Sequence, residues 1–314
     1  MRLGTDHVRV RVPATSANLG PGFDALGLAL AVHDEVEVRA LGTPGVVVDV
    51  RGEGAGEVPD DDSHLVVRAL RLALDHVGAP QTGLHLVCTN RIPHGRGLGS
   101  SAAAVVAGLL AARGLIADPD ALDDDTVLRL ATDVEGHPDN AAPALLGGAT
   151  VAWCEPGGAR AVQVDTHADV APVILVPGVR LATSTARGLL PATVPHRDAA
   201  FAVGRAALLV HALGRRPDLL LAATEDRLHQ SYRAPAMRES VALVDALRGR
   251  GVAAVVSGAG PTVLALARTT GGTGDAATDA DDAVREVLGP TMGGWHVLVP
   301  GVDRDGATVE RMVR

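Results

Sequence analysis

Lysine is absent from this sequence; all 28 basic residues are arginine. A Walker-A phosphate loop depends on its lysine, so that class of nucleotide binder is excluded. Aromatic residues are almost as scarce, with two Phe, two Trp and one Tyr, which leaves few platforms for base stacking. The formal net charge is −9 and the arginines are scattered. Without a basic stripe to neutralise phosphates, nucleic acid is not an expected partner. Cysteine occurs twice, as Cys88 and Cys154. The two form neither a CxxC pair nor a disulfide framework, which fits a reducing compartment, and each is expected to be a small buried residue. No apolar run approaches the roughly 18 residues of a membrane span. The opening MRLGTDHVRVRV is charged and alternating, unlike a signal peptide. A cytoplasmic location with no membrane partner is therefore expected.

What is present is ample core material: 47% of the 314 residues are hydrophobic. That length exceeds the usual single core and suggests two domains of about 150 residues. The seam is expected near 165–171, giving units 1–168 and 169–314. In the first unit, alternation predicts strands at 8–12, 28–40 and 46–50, and a hairpin at 149–153 and 161–164 around Pro156-Gly157-Gly158. A short strand is expected at 84–87, and helices at 64–77, from Ser100 through 112, and at 126–135 behind an acidic cluster. The second unit mixes strands at 172–176, 253–257, 263–267 and 296–299 with helices at 197–212, 219–225, 237–248 and 280–288. This is a split α+β order. The stretch 269–282 reads as a polar surface loop.

Three segments carry chemistry. In PHGRGLGSSAA (93–103), three glycines precede two serines at the head of a strong helix. Such a loop exposes consecutive N–H groups, and the helix N-terminus adds partial positive charge, together making an anion site. Serine hydroxyls there suit phosphate or Mg²⁺. Alone, the segment reads equally well as a glycine-rich turn with a serine cap. The second segment, PATSANLGPGFD (13–24), gathers Thr15, Ser16, Asn18 and Asp24 on an irregular Gly/Pro backbone. A plain turn does not explain Phe23 between Gly22 and Asp24. The third, VVSGAGPTV (255–263), is a glycine turn joining two apolar strands.

In this order and spacing the three segments resemble those of the GHMP kinase family, from residue 8 to about 266. GLGSSAA is the long, specific match. Further segments are similar to the homoserine kinase branch: EGHPDNAAPA (135–144), TSTAR followed by Leu190-Pro191, and DRLHQSYR (226–233). Ala236 and Arg238 depart from that branch, where a larger apolar residue and a proline are usual. The resemblance implies an α+β, two-domain GHMP kinase fold. Its N-terminal domain would be ribosomal protein S5 domain 2-like, and its C-terminal domain a ferredoxin-like split βαβ.

The resemblance also implies ATP and Mg²⁺ as cofactors and L-homoserine as acceptor, phosphorylated on its hydroxyl. A homodimer is compatible with it. Pro93, Gly95, Arg96, Gly97, Leu98, Gly99, Ser100 and Ser101 would cradle the triphosphate, with His64 beside the adenine. Ser101 and Glu135 would hold the metal, though Ser100 can exchange roles with Ser101. A zwitterionic acceptor needs guanidinium for its carboxylate and acidic or amide groups for its ammonium. Arg187 and Arg233 would serve the first need; Asn18, Asp24, His137 and Asp139 the second, with Thr183 and Gly258 beside them. His137 reads alternatively as a structural cap before Pro138. Asp24 and Arg187 are the catalytic candidates, Asp24 orienting the hydroxyl and Arg187 stabilising charge in a direct in-line transfer. Other acceptors of the family, of mevalonate or sugar type, and a non-catalytic nucleotide-binding regulator, are the competing readings.

Overall fold

Period-two burial along the strands sorts this chain into two sheets. The structure, a computed structural model, describes residues 1–269, 278–290 and 292–312. Its strands are β1 (His7–Ala17), β2 (Leu26–Leu41), β3 (Val46–Gly52), β4 (Gly83–Asn90), β5 (Ala149–Glu155), β6 (Gly158–Val164), β7 (Val170–Val176), β8 (Ala254–Val256), β9 (Val263–Arg268), β10 (His296–Leu298) and β11 (Thr308–Arg311). Its α-helices are α1 (Leu65–His76), α2 (Ser100–Leu115), α3 (Asp124–Glu135), α4 (Ala141–Leu146), α5 (Thr183–Gly188), α6 (His196–Arg215), α7 (Leu220–Ala223), α8 (Gln230–Arg233), α9 (Arg238–Arg248) and α10 (Asp281–Leu288).

Among the described residues, the first sheet runs β11-β1-β2-β4-β3, with β5 on β2 and β6 on β5. Its pairings are antiparallel except β3 with β4, which α1 joins as a parallel crossover. α2 is apolar all round, and Ala102, Val105, Val106, Leu109, Leu110 and Leu115 are all buried. A helix of that kind belongs inside a domain rather than on its surface. It crosses α1 so closely that a Cβ on Gly108 would lie 2.4 Å from the Val66 carbonyl oxygen.

The second sheet has the order β10-β7-β9-β8, antiparallel throughout. Numbered along the chain its four strands lie 4-1-3-2, with helices between the first and second and between the third and fourth. This is the split βαβ arrangement. Both faces are buried, and alternation divides them. Ile174, Val255, Leu264 and Leu266 join the main core with α6, while Val173, Leu175, Val256 and Ala265 pack with α9 and α10 in a second cluster. Continuous apolar runs such as VAPVILV are what a two-sided burial demands.

Three features were not anticipated. β1 continues past Val12 through a register shift at Pro13/Ala14, pairing Ala14–Ala17 with β2. Proline, lacking a ladder N–H, is tolerated at such an irregularity. The chain's last strand, β11, pairs with β1; a division at 168/169 assigns it to the second unit, yet its partner lies in the first. Cys88 is buried as expected, but Cys154 is exposed. It faces outward near the hairpin turn, opposite Ala159. The loop expected at 269–282 lies largely outside the described residues; of its ends, Thr269 bridges Thr278 and α10 begins at Asp281. Among the described residues no helix is long and apolar enough to cross a membrane.

Candidate active site

The loop before α2 is shaped by backbone that only glycine adopts readily. Gly95, Gly97 and Gly99 have φ of 65°, 75° and 69°. A Cβ on Gly97 would stand 2.3 Å from the Ser257 carbonyl oxygen, so the loop lies flat against the C-terminal glycine turn. Ser257 Oγ donates to the Gly97 carbonyl at 2.6 Å and lies 2.8 Å from Ser16 Oγ. The Thr15 N–H donates to the Leu98 carbonyl at 3.1 Å, and the Gly258 N–H to that of Ala17 at 3.1 Å. Three segments far apart in sequence thus meet in one hydrogen-bonded knot.

Beside the knot is a cavity of about 350 Å³. No side chain caps α2, so its first-turn N–H groups are open to this cavity, which Gly99, Ser100, Ser101 and Ala102 line. Ser101 Oγ donates to Glu135 Oε1 at 2.6 Å. On the other wall, Arg187 grips Asp24 through two bonds, of 2.8 and 3.1 Å. That bond raises the Arg187 pKa. His137 Nδ1 lies 2.7 Å from Asp139 Oδ1, and this contact lifts the imidazole pKa above its ordinary value against the pull of burial.

Asn18, Leu19 and Asp24 hold positive φ of 70°, 49° and 56°, a conformation L-residues seldom adopt. Asn18 repays this locally. Its Nδ2 donates to the Gly258 carbonyl at 2.9 Å, and its Oδ1 accepts from the Asp24 N–H at 3.0 Å. Strained non-glycine residues clustered at a cleft point to a site.

The cavity brings together Asn18, Asp24, Gly95, Gly97, Gly99, Ser100, Ser101, Glu135, His137, Asp139, Thr183, Arg187, Arg233 and Gly258. Pro93, Arg96 and Leu98 lie outside its lining. Arg96 turns away to the carbonyls of His94, Pro177 and Gly178, and Leu98 is buried in the core. His64 lines a second, apolar cavity of about 290 Å³ that shares Ser100 and Ser101 with the first. Burial there lowers the His64 pKa, so its ring is neutral. Sequence reasoning missed Asn140, whose Oδ1 accepts from Thr15 Oγ1 at 2.8 Å, although it stands inside a quoted motif. It also missed the apolar cavity's Val36, Val58, Pro59 and Asn90, which only folding assembles and which carried no local signal.

Among the described residues, no three His, Cys, Asp or Glu side chains cluster as a metal site. Ser101 and Glu135 nevertheless offer two hard oxygens at the helix N-terminus, a donor set that suits Mg²⁺ sharing a site with phosphates and waters.

Models of the GHMP kinases N terminal domain and the GHMP kinases C terminal match residues 64–148 and 205–288. A homoserine kinase of Streptomyces coelicolor is 58% identical over 304 residues, covering 96% of this chain and 94% of that protein. One from Clavibacter michiganensis is 54% identical, covering 96% and 94%. Among solved structures, homoserine kinase from Cytophaga hutchinsonii superposes with a TM-score of 0.81 at 26% identity, covering 98% of both chains. A mevalonate kinase of L. major in complex with R-mevalonate has a TM-score of 0.64 at 18% identity, covering 92% of this chain and 95% of that one; it shares the fold.

Proposed function

This chain belongs to the GHMP kinase family, and we propose from that membership that its cleft carries out the homoserine kinase reaction. ATP phosphorylates the side-chain hydroxyl of L-homoserine to give O-phospho-L-homoserine, a step toward threonine. The observation that carries the reading is one cavity in which an uncapped helix N-terminus faces two arginines and two aspartates.

The N–H groups of Gly99–Ala102 receive the phosphates, where the helix dipole favours negative charge. The apolar cavity beside Ser100 and Ser101 takes the adenine. Ser101 and Glu135 are the residues that would hold Mg²⁺, which when bound neutralises charge on the nucleotide phosphates. Arg187 and Arg233 bind the acceptor's carboxylate, and Asp24, Asn18 and the His137–Asp139 pair surround its ammonium and hydroxyl. Phosphoryl transfer asks chiefly for positioning and charge stabilisation. Asp24 accordingly orients the hydroxyl for in-line attack, and Arg187 stabilises the charge that develops. The reading includes a cytoplasmic location and a homodimer.

Coupled ADP release with ATP and Mg²⁺, run against L-homoserine, L-serine, L-threonine, mevalonate and galactose, tests the assignment. ADP formation dependent on L-homoserine is expected. Turnover with mevalonate or galactose instead would overturn the acceptor site and leave the fold. ATP binding without turnover on any acceptor would favour a non-catalytic role.

A further inference from the structure

His229 is completely buried and has no part in the reaction described above. Its Nε2 lies 2.9 Å from the Gly20 carbonyl oxygen. A carbonyl only accepts, so Nε2 carries the proton. Burial holds the imidazole pKa below its ordinary value, so the ring is neutral and Nδ1 keeps its lone pair. Arg233 Nη1, which only donates, stands 3.2 Å from that Nδ1 and 3.2 Å from the Gly258 carbonyl oxygen. Arg233 itself is 2% exposed, and its Nε has no partner. The guanidinium is therefore held by one nitrogen while it borders the substrate cavity. Its Nε is buried, so Nη2 is the end of the fork that remains for a ligand carboxylate.

Phe23 closes the arrangement, its ring centroid 5.2 Å from that of His229 and 5.4 Å from the Arg233 guanidinium carbon. Gly20 and Phe23 lie in the segment that presents Asn18 and Asp24, so His229 ties this segment to Arg233. Asp226 fixes the histidine's own backbone, accepting from the N–H groups of Leu228, His229 and Gln230.

We propose that His229 is a positioning residue for acceptor binding: the Gly20 carbonyl sets its tautomer, and its Nδ1 aims Arg233 at the acceptor's carboxylate. This rests on the homoserine reading above. Two near-isosteric variants separate the ring's two bonds. His229→Asn keeps an acceptor near the Nδ1 position, and His229→Gln keeps a donor near the Nε2 position. The asparagine variant is expected to hold the homoserine KM within about threefold of the parent chain. The glutamine variant should raise it about tenfold or more, the loss expected for one buried hydrogen bond to a charged group.

Both variants should leave the ATP KM within about twofold, and kcat at saturating homoserine should change less than KM. Equal homoserine KM values in the two variants, or an ATP KM that rises in parallel, would overturn the proposal and mark His229 as structural. Should the glutamine variant not fold, the asparagine variant decides alone: a homoserine KM raised about tenfold there also overturns it. A parent chain inactive on homoserine would instead refute the substrate reading, and this proposal with it.

Discussion

Ser257 is where the three motif segments are fastened, so removing its hydroxyl should both destabilise the chain and loosen the phosphate loop. The residue is fully buried. Its hydroxyl has one proton, which goes to the Gly97 carbonyl at 2.6 Å, and it accepts from Ser16 at 2.8 Å. In Ser257→Ala that carbonyl loses its donor, and the equally buried Ser16 hydroxyl loses its acceptor. Each stranded polar group costs about 1–3 kcal/mol, so the variant should lose about 2–6 kcal/mol. For a chain of this size that is roughly 2 °C of melting temperature per kcal/mol, a fall of about 4–12 °C. The Gly97 backbone belongs to the proposed triphosphate cradle, so the ATP KM should rise about tenfold, equivalent to about 1.4 kcal/mol of lost loop order. Ser16→Ala/Ser257→Ala removes both ends of the inner bond. It should be less destabilised than the single losses summed, by about 1 kcal/mol. Calorimetry on the three variants with initial-rate kinetics at varied ATP measures all of this. A melting temperature within about 2 °C of the parent and an unchanged ATP KM would refute the fastening argument.

Asp24→Asn should lower kcat by less than about tenfold, because a general base contributes about a hundredfold or more; a loss beyond a hundredfold would make Asp24 the base. The Asp139 contact raises the His137 pKa above 6.5, so the stability it lends is complete below that value and lost as pH rises through the raised one. His137→Gln should therefore destabilise most near pH 6 and least near about pH 9, read as unfolding free energy in denaturant; a pH-independent difference would exclude the charged pair. Burial pushes the Cys88 thiol up to about 12 while Cys154 is exposed. A thiol reagent at about pH 8 should thus label one cysteine in the native chain and two in denaturant. Labelling of both in the native chain would mean that the core opens readily.

The parts of this fold that sequence made legible are those governed by local pattern. The amphipathic helices and the alternating strands follow side-chain periodicity, and the glycine loop followed by Ser100 announces a tight turn into a helix, which reads as an anion site only beside the other two segments. Non-local pairing was not legible. Nothing in Thr308–Arg311 marks it as a neighbour of β1, since its four residues carry no distinctive alternation and the pairing closes a separation of almost the whole chain. The apolar cavity escaped for the same reason. Val36, Val58 and Asn90 come from different elements, and each reads as ordinary core or turn. Arg96 stands in the loop, but its guanidinium turns to three carbonyls, which leaves only its backbone to the expected cradle. Adjacency in sequence does not fix the direction of a long side chain.

The charge around the cavity argues for an acceptor that brings both signs. Arg187 is already committed to Asp24 by two bonds, and it also lies within electrostatic reach of Asp139. A ligand carboxylate that recruits Arg187 competes with Asp24, and whatever replaces that arginine at Asp24 must be cationic. An α-amino acid supplies the ammonium one carbon from the carboxylate, so each protein charge exchanges one partner for another. A hydroxy acid without nitrogen takes the guanidinium and leaves Asp24 without its cation in a cavity that Asp139 also lines. A neutral sugar offers neither charge, so it supplies no partner in exchange for either member of the Arg187–Asp24 pair. On the proposed site assignment, discrimination then comes from the ion pair that the free site keeps closed, because only a zwitterion opens it without leaving a charge unmatched.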